Sequence, residues 1–394
     1  MKRFVYTLLY FICFVQCTLI TTTNTNYSDA CEENLETYAL SVRDVFYPEL
    51  PTKTSETEIL QYSYTYDDLH SSATVVEFGE KNGFVVMANN DNHTPLIVAK
   101  EGRFEEYINN PGMYPLIMES LTYEQPTSLD PDIPTTMLTL PVSVSTDTLM
   151  APMVKVKWHQ GAPFNMYAPN SVAGCTPIAI AQVMSYYKYP NELDITYPNA
   201  TTRHTNLDWN DIIDHTGSHG DTCSICVQCG LLTRQIGHYC RASYAIGKTV
   251  AAPYVEFIRD LGYFGIHYDD YAFQPIIESI NNNHPCIISG FRGNSGHTWI
   301  IDGYYERTTI SNTYMVSGLT RELYRVTKDI DTYFHFNYGW GDGSEVYVLS
   351  NRIRHTSDEP FSGDGDVITN PITIFDNGFN DIMILVTNLK PLEE

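Results

Sequence analysis

Cys175 is a thiol placed where a helix should begin. It stands in Ala173-Gly174-Cys175-Thr176-Pro177, and Ile180, Val183, Met184 and Tyr187 then recur at helical spacing until Tyr189-Pro190 stops the run. Pro177 suits the first turn of such a helix. Free N–H groups and the positive end of the helix dipole stabilise a thiolate, so the position can turn an ordinary thiol into a nucleophile. The plainer fate of a lone cysteine is that of a small buried hydrophobe. What favours chemistry here is the company it keeps along the chain. Gln160, in Trp158-His159-Gln160-Gly161, precedes it and offers an amide donor for an oxyanion. His297, in Gly296-His297-Thr298-Trp299, follows at the mouth of an apolar strand. Asn337, in His335-Phe336-Asn337-Tyr338-Gly339-Trp340-Gly341, closes another strand before a glycine-rich turn. A base to take the thiol proton, an amide to orient the imidazole and donors for a tetrahedral oxyanion make a complete set for covalent acyl chemistry.

Rivals stand close to these residues. His335 lies two positions before Asn337, so in an extended strand it projects to the same face, and His159 neighbours Gln160. Asp302, in Ile301-Asp302-Gly303, has the chemistry of a triad carboxylate but reads as a strand-end residue, with Asn337 as the orienter. Spacing alone does not choose among the histidines.

The elements that must position this set belong to a long and acidic chain. Its 394 residues carry 47 acidic and 23 basic side chains, a formal net charge of −24, 43% hydrophobic and 13% aromatic residues. Such a surface repels phosphate backbones and anionic headgroups, so nucleic acid is not an expected partner, and the apolar content excludes a disordered chain. Lys2-Arg3, the apolar run Phe4 to Val15 and the polar stretch from Thr21 have the order of a secretory leader, too short for a permanent span. Export to the medium or cell envelope is expected. Phe14-Val15-Gln16 lacks the small residue that precedes a lipidated cysteine, so no anchor at Cys17 is expected. Cys31 to Val45 has helical spacing, Ala73 to Phe78 and Gly83 to Ala88 read as strands, and Phe84 to Ala99 reads as a hairpin turning at Asn89-Asn90-Asp91-Asn92. Gln125 to Pro152, rich in Pro, Thr and Ser, reads as a linker.

Cys223, Cys226 and Cys229, with Cys240, His215, His219 and His238, offer ligands of the kind zinc takes. Two well-separated Cys-x-x-Cys pairs are missing, however, and an exported thiol cluster oxidises readily, so disulfides or unpaired buried cysteines are expected in preference to metal.

Gly174-Cys175 through Ala181-Gln182-Val183-Met184, Gly296-His297-Thr298-Trp299 with Asp302-Gly303, His335-Phe336-Asn337-Tyr338-Gly339-Trp340-Gly341 and the entry segment Trp158 to Asn165 together resemble the streptopain family of papain-like cysteine peptidases. The resemblance covers the chain from about residue 150 onward and, more weakly, the hairpin unit before it. It implies an α+β fold, a two-lobed papain-like domain preceded by a small α+β prodomain. The division it implies is a signal peptide over 1–20, an inhibitory prodomain over 21–140, a linker with the activation cleavage over 141–157 and the catalytic domain over 158–394. By resemblance Cys175 is the nucleophile, His297 the general base and acid, Asn337 the orienter, Gln160 the oxyanion donor and Trp340 a shielding ring. Protein or peptide substrates, an apolar residue two before the scissile bond and the prodomain as intramolecular inhibitor are implied, with no cofactor and no metal. Tyr338 stands where the family commonly has Trp, and Thr176-Pro177 where Val and Ala are usual. A catalytically dead papain-fold binding protein and an acyl transferase using the same four residues are the alternatives.

Overall fold

The computed structural model describes residues 29–51, 57–66, 69–79, 81–89, 93–110, 117–118, 121, 137–168, 172–196, 202–220, 222–245, 248–292, 295–317, 320–357, 372–373 and 382–392. In chain order the elements are α1 (Asp29–Phe46), β1 (Glu58–Tyr66), β2 (Leu69–Glu77), β3 (Phe84–Ala88), β4 (Pro95–Ala99), α2 (Phe104–Ile108), β5 (Met137–Met150), α3 (Cys175–Tyr187), β6 (Glu192–Thr196) and β7 (Thr202–Asn206). They continue with α4 (Trp209–Asp214), α5 (Ser224–Tyr239), β8 (Ser243–Ala245), β9 (Lys248–Val250), α6 (Val255–Asp260), β10 (Tyr263–Tyr268), α7 (Phe273–Asn281), β11 (Cys286–Arg292), β12 (Ser295–Ser317), β13 (Thr320–Asn337), β14 (Glu345–Ser357), β15 (Ile372–Thr373) and β16 (Ile382–Pro391).

One sheet organises the molecule. Its strand order is β1-β2-β3-β4-β14-β13-β12-β11-β16-β10, with β15 added to β14 and β5 to β12. Successive side chains of a strand point to opposite faces, and the central strands use both. Cys286, Ile288, Trp299, Ile301 and Leu385 enter a core shared with α1, α7 and the β3–β4 hairpin. Ile287, Ile300, Ile384 and Val386 enter a second core with α3 and α5. Helix α3 is buried from Thr176 to Ser185, as expected of a helix apolar nearly all round. It ends at Lys188, which takes the left-handed conformation and returns its N–H to Met184 O.

The helix expected over Cys31 to Val45 is α1, and the hairpin expected over Phe84 to Ala99 is the antiparallel pair β3–β4. Two expectations change. The N-terminal unit does not hold a sheet of its own: Ile97, Val98 and Ala99 of β4 pair with Val348, Tyr347 and Val346 of β14, so both parts share the ladder. The described part of the stretch read as a linker is mostly strand, since Met137–Met150 pairs antiparallel with Tyr304 to Met315 of β12. Pro141 sits at a register shift there, where a missing N–H interrupts no regular pairing. Past the strand the chain stays pinned, with Met153 N–H on the Asp302 carbonyl and Val154 N–H on the Asp302 carboxylate. The leader with Cys17, the hairpin tip at Asn90 to Asn92 and the linker part from Gln125 to Thr136 lie outside the described residues. Among the described residues no helix is long and apolar enough to cross a membrane.

Candidate active site

Cys175 is the first residue of α3 and is half-buried. The turn into the helix needs Gly174, whose φ of 100° is strained for any side chain, and a Cβ there would meet Thr249 Cγ2 at 2.8 Å. Behind the thiol, the Thr176 hydroxyl bonds Ala251 O at 3.0 Å and Thr298 Oγ1 at 2.8 Å, and Thr298 Oγ1 meets Ser289 Oγ at 2.5 Å. The Thr that departs from the family pattern thus ties the start of α3 to the residue after His297.

The second strand end brings His297 to this point. In the β12–β13 register Ile300 faces Asn337, so His297 lies beyond the last paired residue and the chain after Asn337 curls over it. The ring stacks on Trp340 (centroids 5.6 Å, 19°) and lies near Trp299 and Tyr338. Its Nε2 is 2.9 Å from the Tyr338 carbonyl oxygen. A carbonyl only accepts, so Nε2 carries the proton and Nδ1 is left to face a donor. Burial pushes the Cys175 thiol up, but the hydrogen bond and charge of His297, with hydrogen bonds from the Thr298 backbone and hydroxyl, outweigh it and bring the thiol down to about 7.

Asn337 is fully buried at the end of β13, and its side chain is spent elsewhere than on His297. Oδ1 accepts from Gln182 Nε2 (2.9 Å) and from the Gly339 N–H (3.1 Å), while Nδ2 donates to Val156 O (3.1 Å) and Glu345 Oε1 (3.3 Å). The amide expected to hold the imidazole instead holds the turn whose Tyr338 carbonyl does so. Gly339, at φ 71° and with Ile178 Cγ2 3.0 Å from where a Cβ would be, lets that turn lie on α3. Gln160 is buried, its carbonyl accepting the N–H of Ala173, two residues before Cys175, at 3.0 Å, and the Gly341 N–H bonds Trp158 O. Among the described residues the Gln160 side chain has no hydrogen-bond partner. Sequence reasoning missed Thr298, Gln182 and the Tyr338 carbonyl. Only Gln182, a polar residue inside an apolar helix, left a signal.

The rival groups are committed to one another. His335 Nδ1 lies 2.6 Å from Asp302 Oδ1, both side chains buried, and burial, which lowers the His335 pKa, is outweighed by the Asp302 carboxylate, which raises it. Removing one partner of a buried pair is costly, so Asp302→Asn should destabilise the fold by about 3 kcal/mol, read by chemical denaturation. A raised histidine contributes its stability below the unfolded value and loses it as pH climbs through the folded one. The gap between the parent and Asp302→Asn should therefore be widest near about pH 6 and narrow as pH rises. His159 accepts the Gly161 N–H on Nδ1 at 3.0 Å, a local turn contact.

The N-terminal unit abuts the rim. Glu101 C and Gly102 N lie 4.0 Å from where a Gly343 Cβ would be, and Lys157 Nζ bridges Glu101 Oε1 (3.0 Å) and Glu345 Oε2 (3.4 Å), the carboxylate that also takes Asn337 Nδ2. Cys175, Cys223, Cys226, Cys229, Cys240 and Cys286 are all free thiols. Burial pushes Cys229, Cys240 and Cys286 up to about 12, which silences them as nucleophiles.

Residues 158–347 match the peptidase C10 family. The thiol protease/hemagglutinin PrtT of Porphyromonas gingivalis is 22% identical over 383 residues, an alignment covering 84% of this chain and 40% of that protein. The chain thus spans well under half the length of that curated relative.

Proposed function

Because residues 158–347 belong to the peptidase C10 family, we propose that the chain is a thiol endopeptidase that hydrolyses protein or peptide substrates through Cys175. The observation that carries the reading is the His297 ring, its Nε2–H given to the Tyr338 carbonyl and its other nitrogen left for a thiol held down to about 7. The Cys175 thiol proton passes to His297 Nδ1, Sγ attacks the scissile carbonyl carbon, and the new oxyanion is met by the Gln160 amide and the Cys175 N–H. His297 passes its proton to the departing amine as the C–N bond breaks, then takes one from water, which attacks the thioester and releases Cys175. Asn337 acts by positioning, since it fixes the turn that presents the Tyr338 carbonyl. Trp340, stacked on the imidazole, keeps water from that hydrogen bond.

The N-terminal unit is proposed to be an inhibitory prodomain and residues 1–20 an export leader. Support for the first comes from the contact of Glu101 and Gly102 with the Gly343 turn and from the Lys157 bridge. Strands in a ladder resist cutting, so the activation cleavage is proposed to fall between Gln125 and Lys157 but outside the paired stretch Met137–Met150. Purified precursor incubated at working temperature should shorten to a form beginning in that interval while hydrolysis of a quenched peptide rises. A precursor that stays intact and is already fully active would refute the inhibitory role. Adding an amine acceptor to the assay separates hydrolysis from acyl transfer, since transfer would place the amine on the acyl product.

A further inference from the structure

Between α4 and α5 the chain reads His215-x-x-x-His219-x-x-x-Cys223-x-x-Cys226, and the fold gathers what the sequence only spaces. His215 is the C-cap of α4 and Cys223 the N-cap of α5, with Cys226 in the first turn of α5. Their ligand atoms, one nitrogen and two sulfurs, all lie within 4.8 Å of one another. His215 Nε2 is 3.1 Å from Cys226 Sγ. The loop between them folds back on Gly217 and Gly220, both at positive φ with open space around them, and sets the His219 ring edge-on to His215 at 5.5 Å.

The sulfurs are also dressed as metal thiolates are. The Cys226 N–H points at Cys223 Sγ and the His219 N–H at Cys226 Sγ, each at 3.3 Å. Backbone donors on a sulfur favour its anionic form and orient it as a ligand. Around one tetrahedral zinc, bonds of about 2.0–2.3 Å put neighbouring ligand atoms about 3.4–3.8 Å apart, so small side-chain rotations close the present set.

We infer that His215, Cys223 and Cys226 form a zinc site, with His219 or solvent as the fourth ligand. Nitrogen and thiolate donors in this proportion suit zinc over hard cations. Binding releases the two thiol protons to solvent and joins the loop to the start of α5, the helix that packs with α3 in the second core. The site lies on elements other than those carrying Cys175, His297 and Asn337, so it is structural and independent of the proposed peptidase chemistry.

The test uses the full chain carrying Cys175→Ala, which removes the Cys175–His297 thiol–imidazole pair as a second place for zinc. Stripped of metal under reductant, loaded with Zn²⁺ and desalted, it should retain about one zinc per chain by elemental mass spectrometry, and Cys223→Ser/Cys226→Ser should retain almost none. His215→Ala should weaken binding at least about tenfold in competition with a chromogenic chelator. Should the serine variant not fold, Co²⁺ loaded into the Cys175→Ala chain still decides, through tetrahedral visible bands and a thiolate charge-transfer band. Zinc no higher than in the serine variant, or a cobalt spectrum without the thiolate band, overturns the site. So does a Cys223–Cys226 disulfide in protein recovered from an exporting host.

Discussion

Cys175→Ala is expected to lower kcat/KM for a peptide substrate by at least about 10⁴-fold, because among the described residues no other thiol is paired with His297 to take over the covalent step. Cys229, Cys240 and Cys286 have thiols pushed up to about 12 by burial. The Cys223 thiol is lowered by the Cys226 backbone N–H, but it is grouped with Cys226 and His215, away from His297 and Asn337. Residual rate would come from binding and from Gln160 acting on a water attack. The substitution removes one half-buried sulfur at a helix start, so stability should change by no more than about 1 kcal/mol, and a denaturation curve alongside the assay separates lost chemistry from lost fold. The dead-site alternative predicts the opposite pattern, with parent and variant equally inactive.

His297→Ala should cost nearly as much, about 10³- to 10⁴-fold in kcat/KM, and it carries a sign that a structural role would not. Burial raises the Cys175 thiol, and His297 supplies the largest opposing contributions by hydrogen bond and by charge. Without the imidazole only the Thr298 hydrogen bonds remain against burial, so the thiol rises from about 7 toward or beyond an ordinary cysteine value. The midpoint of the pH profile for alkylation of Cys175 should move upward by roughly 2 units. His335→Gln distinguishes the histidines: it breaks the buried pair with Asp302 and lowers stability, yet the alkylation midpoint should stay where it is. A midpoint that moves with His335 and not with His297 would exchange their assignments.

Much of this arrangement is legible in residue types. The apolar run after Cys175 announces a buried helix, and Gly174 before it announces the turn. The two-residue spacing of His335 and Asn337 correctly puts them on one face of β13. What hides is anything made by pairing over long range or by the backbone. Asp302 captures His335 because Gly303 and His335 face each other in the register, a fact no local pattern contains. The acceptor for His297 is a carbonyl, which every residue owns, so the eye goes to the amide of Asn337 one position earlier. β5 is a different case. Leu138, Leu140, Val142 and Val144 do alternate with polar residues, and the signal was masked by Pro141 and by a Thr- and Ser-rich composition that reads as linker. For the His215 to Cys226 loop the spacing was visible but the convergence of nitrogen and sulfurs was not.

The central claim is that Cys175 is a nucleophile activated by His297, and an epoxide-type thiol peptidase inhibitor tests it most directly. After incubation with the full chain and its shortened form, proteolytic digestion and mass mapping should find one adduct, on Cys175, whose formation tracks loss of hydrolysis and is abolished by His297→Ala. An enzyme that is fully inhibited while Cys175 remains unmodified, or one that keeps hydrolysing peptides with Cys175 fully labelled, would contradict the account.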